Sequence, residues 1–312
     1  FRIVVADESH YLKSGTAKRT KAVVPILQKA DHAMLLSGTP ALSRPQELHT
    51  QISALLDRFM TMNAFGQRYC DGKKVRVPGR LPLSSTISTF ASHRRHLRVL
   101  IQGRFGWDFS GNSNIHELHW FLERTVLIRR LKKNVLKQMP PKNRQRIVVD
   151  IAAKKKKELE ASLSKKSRTL DPKMYTETGL AKLPSVLEYC EDLYSETEKK
   201  FIVFAHHREV LDGLAEFADF IRIDGSTPQL HRQGLCDKFQ TDSKCRVAVL
   251  GITAAGVGLT LHAADLVVFA ELFWNPAQLL QGEDRAHRIG RKDSVDIKYI
   301  TASGTLGKVW RR

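Results

Sequence analysis

Asp7 and Glu8 are the residues of this chain best suited by type and spacing to chemistry. They follow the apolar run Ile3 to Ala6, which reads as a buried strand, because strands covered on both faces are continuously apolar. Two carboxylates at the carboxyl end of such a strand can divide the work of hydrolysis. One holds Mg2+ through oxygen; the other orients or deprotonates a water for attack on a phosphoryl group. A strand end meeting a solvated turn produces the same letters, so the pair gains meaning only from its company.

That company comes in order along the chain. After a basic, loosely helical stretch from His10 to Ala30, a second apolar run, Met34 to Leu36, ends in Ser37-Gly38-Thr39-Pro40. Small hydroxyl residues and glycine at a strand end let the backbone approach a ligand closely. Ile252 to Thr260 follows another apolar run and carries Gly256, Gly258 and Thr260, a composition in which backbone amides can cradle phosphate. Arg285 and Arg288 are three apart and share one helical face. Such a pair serves surface ion pairing, or it stabilises charge on a transferring phosphoryl group. Phe273-Trp274-Asn275-Pro276 forms an aromatic turn just before them. Ser226 and Thr227 read on their own as simple capping of a helix from Gln229.

The elements that must hold these groups are legible to different degrees. With 312 residues, 42% of them hydrophobic, the chain has room for about two domains. No apolar run is long enough to span a bilayer. In the second half, short apolar strands at 201–205, 221–225, 246–250 and 266–269 alternate with helices at 184–194, 210–220, 229–239 and 278–286, which implies a parallel α/β sheet. In the first half, Leu48, Ile52, Leu55, Leu56 and Phe59 line one face of a helix over 46–69. A helical stretch over 118–136 is broken by Met139-Pro140-Pro141, and a strand follows at 146–151. The polar run from Lys154 to Thr178 reads as a linker. The expected division is therefore 1–150, a basic linker over 151–182, and 183–312.

Residues 72–106 stand apart, with no acidic residue between Asp71 and Asp108 and no sustained periodicity. We expect an unstructured insertion there; a basic loop touching nucleic acid is the alternative. A net charge of +19, from 51 Lys+Arg against 32 Asp+Glu, favours a polyanionic partner, nucleic acid being the usual one. The four cysteines lack metal-ligand spacing and read as reduced thiols of a cytosolic or nuclear protein. Opening directly in a buried strand, without Met, the chain is expected to be cut from a longer one. Gly304 to Val309 superficially suggests a phosphate loop but lacks the first glycine at the right spacing and the Ser/Thr after lysine.

Taken together these residues resemble the Swi/Snf-type branch of the superfamily-two helicase-like ATPases. The matching stretches are Asp7-Glu8-Ser9-His10, Leu36 to Pro40, Phe201 to His207, Arg222 to Thr227, Ile252 to Thr260 and Gln281 to Gly290. Ala270 to Pro276 and Leu127 to Leu136 look closest to the annealing-helicase subfamily, which remodels stalled forks. The resemblance implies two RecA-like lobes of parallel sheet flanked by helices, the first incomplete and carrying a helical protrusion. It implies ATP and Mg2+ as cofactors, DNA (duplex, forked or with single-stranded junctions) as partner, and a nuclear, membrane-free setting. Single-strand-binding or replication proteins would be reached through regions outside this chain.

Carried over by position, Asp7 would hold the metal and Glu8 would activate water. His10, Ser37 and Thr39 would couple nucleotide state to DNA, and Gly256 would lie at the cleft. Arg285 and Arg288 would act as arginine fingers, supported by Gln281. Ser226, Thr227, Gly258 and Thr260 would meet the DNA backbone. Four departures stand out: no Gly-x4-Gly-Lys-Ser/Thr phosphate loop, the 72–106 segment, Arg291 where the family usually has Gln, and an atypical end from Thr305. Two other readings follow, a catalytically inactive DNA-binding fragment and an RNA helicase. Phe201 to Ala205 and Phe273 to Pro276 argue against the second.

Overall fold

Continuous apolar runs covered on both faces mark the strands in the second half of the chain. The computed structural model describes residues 1–38, 40–41, 44–76, 105–164, 172–215, 220–254 and 259–303. It divides into two compact units, Phe1–Leu131 and Lys132–Arg312.

In the first unit, β1 (Ile3–Ala6) pairs in parallel with β2 (His32–Leu35), Val4 opposite Ala33 and Ala6 opposite Leu35. Between them run a 3-10 turn, Ser9–Leu12, and α1 (Lys18–Gln28). Val4, Ala6, Ala33 and Leu35 pack on Leu12, Leu27 and Ala54, and so anchor the ends of both strands. The opposite face is bare: Ile3, Val5 and Met34 are 61%, 53% and 53% exposed. The helix expected over 46–69 is two helices, α2 (Gln46–Leu55) and α3 (Met62–Tyr69), the second begun by the Thr61 hydroxyl accepting from the Ala64 amide. Leu56 leaves the helical region and Arg58 takes a positive φ of 55°, which breaks the periodic run. β3 (Lys73–Arg76) and β4 (Phe105–Asp108) form an antiparallel pair at the two ends of the segment predicted to be unstructured. Residues 77–104 lie outside the described residues, so that expectation is met by a paired ladder only at its edges. The Phe109 ring packs where a Cβ on Gly66 would fall, which ties the end of β4 to α3. Then comes α4 (Ile115–Thr125), with Leu118 and Leu122 buried against Ile52 and Phe65.

The second unit begins with α5 (Lys132–Val135), separate from α4, so the helix expected over 118–136 is also divided. β5 (Lys142–Val149) pairs in parallel with β10 (Val295–Ala302) from Lys142↔Val295 to Val149↔Ala302. This strand, expected within the first domain, therefore belongs to the second sheet. The expected linker is largely helical: α6 (Ala153–Ser164) and α7 (Pro172–Glu196), which runs straight through Pro184. The rest is β6 (Phe201–Ala205), α8 (Arg208–Leu214), β7 (Phe220–Ile223), α9 (Gln229–Thr241), β8 (Val247–Gly251), β9 (Leu266–Phe269) and α10 (Pro276–Ala286), ending in β10. Among the described residues these strands form one parallel six-stranded sheet in the order β5-β10-β9-β6-β8-β7. Both faces are covered, as a parallel sheet requires. Ile202, Phe204, Ala248, Leu250, Val267 and Phe269 meet the α9 and α10 side, while Phe201, Val203, Val247, Val249 and Val268 meet α7 and α8. No helix among the described residues is long and apolar enough to cross a membrane.

Candidate functional site

The first unit presents the Asp7–His10 turn at the carboxyl ends of β1 and β2. Glu8 takes a left-handed conformation, φ 50° and ψ 43°, so the chain folds back at once and its amide donates to Asp7 Oδ1 at 2.8 Å. Two backbone bonds then lock the turn to the second strand end: Leu36 N to Ala6 O and Ser9 N to Leu36 O, both 2.9 Å. The Ser9 hydroxyl donates to Gln51 Oε1 at 3.1 Å, and Gln51 Nε2 donates to Pro40 O at 2.7 Å, which ties both strand ends to α2. His10 is 2% exposed; its Nδ1 lies 3.2 Å from Ser37 Oγ and 3.1 Å from Glu8 Oε2. Burial lowers the imidazole pKa despite the pull of Glu8, so the ring is neutral at pH 7. Glu8 Oε2 is buried yet accepts no hydrogen bond among the described residues. An orphaned carboxylate oxygen of this kind is a place for a water proton. Beside it stands the exposed carboxylate of Asp7. Mg2+ is bound through one or two carboxylates, waters and phosphate oxygens rather than an all-protein cage, so the Asp7–Glu8 donor set fits that ion. Of the expected coupling residues, His10 and Ser37 are brought together with Glu8; Thr39 lies outside the described residues.

In the second unit the expected arginines do converge. Asn275 caps α10, accepting from Ala277 N at 3.0 Å, and Pro276 follows in the first turn. Arg285, 7% exposed, donates from Nη1 to Leu259 O at 3.3 Å. Arg288 donates to Thr260 Oγ1 at 2.9 Å and to Leu259 O at 3.1 Å. Thr260, expected at DNA, is therefore in contact with an expected finger, and Gln281 lies half-buried two turns ahead of Arg288. Gly256 and Gly258 fall outside the described residues. Arg291 replaces the usual Gln with an internal clamp. It donates to His262 O at 2.8 Å, Ala264 O at 2.6 Å, Asp293 O at 3.0 Å and Asp265 Oδ1 at 2.5 Å.

Ser226 and Thr227 turn onto Asp224. The Ser226 hydroxyl and amide donate to Asp224 Oδ1 at 2.6 and 2.8 Å, and Thr227 Oγ1 accepts from the Asp224 amide at 3.0 Å. The Ser226 hydroxyl bond, helped by its amide and by Arg222 against the cost of burial, holds the Asp224 carboxyl at about 2. Neither residue caps α9, whose N-cap is Pro228 without a side-chain cap. The capping reading is thereby corrected.

Sequence reasoning missed two buried carboxylates. Glu271, 4% exposed at the carboxyl end of β9, accepts from the amides of His206 and His207 at 2.7 and 2.9 Å and from His207 Nδ1 at 2.6 Å. That ring bond, outweighing burial, raises the His207 pKa. Lys182 of α7, 4% exposed, donates to Ala270 O and Ile300 O at 2.8 and 3.0 Å, and burial lowers its pKa to about 8. Glu283 of α10 is fully buried. Against burial, which raises it, Arg144, Lys142 and Tyr299 together hold its carboxyl at about 2. An acidic residue inside a helix otherwise apolar on that side was the available signal; its cationic partners lie 141 and 139 positions upstream.

Comparison with known proteins finds two family matches in succession along the chain. Residues 1–195 match the SNF2-related domain and residues 182–290 the helicase conserved C-terminal domain. The chain is 45% identical, over 98% of its length and 31% of the relative's, to the SWI/SNF-related matrix-associated actin-dependent regulator of chromatin subfamily A-like protein 1 of Xenopus laevis. It is 42% identical, over 98% of its length and 28% of the relative's, to the DNA annealing helicase and endonuclease ZRANB3 of Bos taurus. A solved structure described as the Sulfolobus solfataricus SWI2/SNF2 ATPase core in complex with dsDNA aligns with 98% of this chain and 64% of that one, at 17% identity and a TM-score of 0.44. The chain spans about a third of the length of the curated relatives it matches.

Proposed function

The chain belongs to the SNF2-related family, and from that premise we propose that it is the motor core of a DNA-dependent ATPase that anneals or remodels DNA at replication forks in the nucleus. The observation that carries this reading is the turn at Asp7–His10. A carboxylate pair stands at a parallel strand end, one oxygen of Glu8 buried without a hydrogen bond, and a neutral His10 bridges it to Ser37.

Asp7 would hold the Mg2+ that accompanies ATP, and that ion would neutralise charge on the transferring phosphoryl group. Glu8 would take the proton of the attacking water through Oε2, which is buried without a hydrogen bond and has His10 Nδ1 3.1 Å away. His10 would transmit the occupancy of Glu8 to Ser37, because its Nδ1 reaches both. Arg285 and Arg288 would stabilise developing charge, exchanging their bonds to Leu259 O and Thr260 Oγ1 for phosphate oxygens. The net charge of +19 supports a polyanionic partner held mostly through phosphates, with weak sequence preference and steep salt dependence. The relatives named for chromatin regulation and for DNA annealing support the nuclear, fork-directed form of the reading.

A second reading has its own observation: the sequence contains no Gly-x4-Gly-Lys-Ser/Thr loop to cradle the β- and γ-phosphates. On that reading the 312 residues bind DNA without turning ATP over. ATP hydrolysis by the full-length protein carrying this chain, with forked DNA, with RNA and with neither, decides. Stimulation by forked DNA at least tenfold above RNA is expected; turnover indifferent to DNA contradicts the motor. Turnover by the 312 residues alone removes the second reading.

A further inference from the structure

Glu283 takes no part in the chemistry assigned to Asp7 and Glu8, yet it is the most heavily engaged carboxylate in the second unit. Its side chain is fully buried. Lys142 Nζ donates to Oε2 at 2.7 Å, Arg144 Nε to Oε1 at 2.8 Å and Arg144 Nη2 to Oε2 at 2.6 Å; the Tyr299 hydroxyl also donates to Oε1. Thus α10 is pinned to β5 on one side of the sheet edge and to β10 beside it. Asp284 extends the cluster, meeting Lys142 and Lys132 at 2.7 Å each. At the helix end, His287 Nε2 donates to Pro140 O at 2.7 Å. Four groups of the stretch 132–144, on Lys132, Pro140, Lys142 and Arg144, therefore grip Glu283 and Asp284 in the last turn of the helix and His287, the residue that ends it.

Helical geometry gives this grip its consequence. At 3.6 residues per turn, Arg285 lies about 200° round the axis from Glu283, on the opposite side. That side meets Leu259 O, as Arg288 also does just beyond the helix end. A rotation or slide of α10 at Glu283 must move both guanidinium groups. Burying a carboxylate with two cations is a costly way to fill the space, since apolar residues of similar volume serve stability as well; what an ionic cluster adds is a single register.

We propose that Glu283, held by Lys142 and Arg144, is a positioning residue: it sets the rotation and axial register of α10 and so places Arg285 and Arg288 against Leu259 and Thr260. The consequence for turnover rests on the motor reading given above; the consequence for α10 does not.

The test uses the full-length protein with Glu283→Gln, which keeps the shape and removes the charge, and with the double variant Glu283→Leu/Arg144→Met, which replaces the pair by apolar groups. Glu283→Gln should lower kcat for DNA-stimulated hydrolysis about tenfold or more, as small misplacements of catalytic groups do, with the Kd for forked DNA within about twofold. The double variant should recover thermal stability but not kcat. Recovery of both would show a merely structural role and overturn the proposal, as would an unchanged kcat in Glu283→Gln. If Glu283→Gln does not fold, Tyr299→Phe, which removes one donor, should show a smaller kcat loss at unchanged DNA affinity; no loss overturns the proposal. If the wild-type protein itself shows no DNA-stimulated turnover, the motor reading fails separately. Amide hydrogen exchange then decides on the register. Glu283→Gln must speed exchange in 276–288 and 259–265 relative to β6 and β8, and uniform or unchanged exchange overturns the proposal.

Discussion

At the scale of the residue, environment decides what each carboxylate does. Glu8 keeps a buried oxygen without a hydrogen bond, beside the His10 ring, whereas Glu283 spends both of its oxygens on Lys142, Arg144 and Tyr299. The two are equally acidic letters in the sequence, and only the first could be singled out there, because its partner Asp7 is adjacent while the partners of Glu283 come from distant strands. The electrostatic consequence for Glu283 has a definite sign. Its carboxyl is depressed from 4.5 to about 2, so the stability it contributes is fully present above pH 4.5 and is lost as pH falls toward 2. A shift of that size corresponds to roughly 3 kcal/mol. Urea unfolding of the wild type and of Glu283→Gln between pH 5 and about 2.5 checks this: the stability difference between them should shrink as pH falls. A constant difference would remove the ion cluster from the account.

At the scale of the element, the strands of the second sheet were legible because each is continuously apolar, and their alternation with helices implied parallel order. β10 was not anticipated, although Val295, Ile297 and Ile300 are buried in it. Its intervening Asp296, Lys298 and Tyr299 mimic a solvated segment, but Lys298 donates to Gln145 on β5 and Tyr299 to Glu283 on α10. β5 itself was assigned to the wrong unit for the same reason: strand pairing across some 150 residues leaves no local trace. Much of the stretch expected as a linker is helical: Leu159 of α6 is buried, and α7 runs on into Leu183, Val186 and Cys190, whose packing on the second sheet outweighs the polar composition before them. Arg291 shows the reverse case, a departure visible in the sequence whose meaning required the structure. Arg291→Gln should leave the carbonyl of buried Ala264 underpaired and destabilise the protein by about 1–3 kcal/mol. Chemical denaturation measures this, and equal stability would show that the clamp is dispensable.

At the scale of the whole molecule, an exposed apolar face and the net charge lead to separate predictions. The bare face of β1 and β2 carries Ile3, Val5, Met34 and Leu36, each at least 50% exposed, on a two-stranded parallel pair of a kind that is ordinarily covered on both faces. The 312-residue chain in isolation should therefore bind ANS and self-associate, and Val5→Lys/Met34→Lys should reduce both; unchanged light scattering would contradict this reading. With a net charge of +19, the protein should bind duplex DNA with an affinity that falls steeply and linearly in log–log form as salt rises. The central claim is that Asp7 and Glu8 form the hydrolytic centre of a DNA-driven motor. The most direct test is Glu8→Gln in the full-length protein, assayed for ATP turnover at saturating forked DNA and, in parallel, for DNA affinity. The account predicts turnover lower by about 10²–10⁴-fold with DNA affinity unchanged; turnover within about twofold of wild type would contradict it.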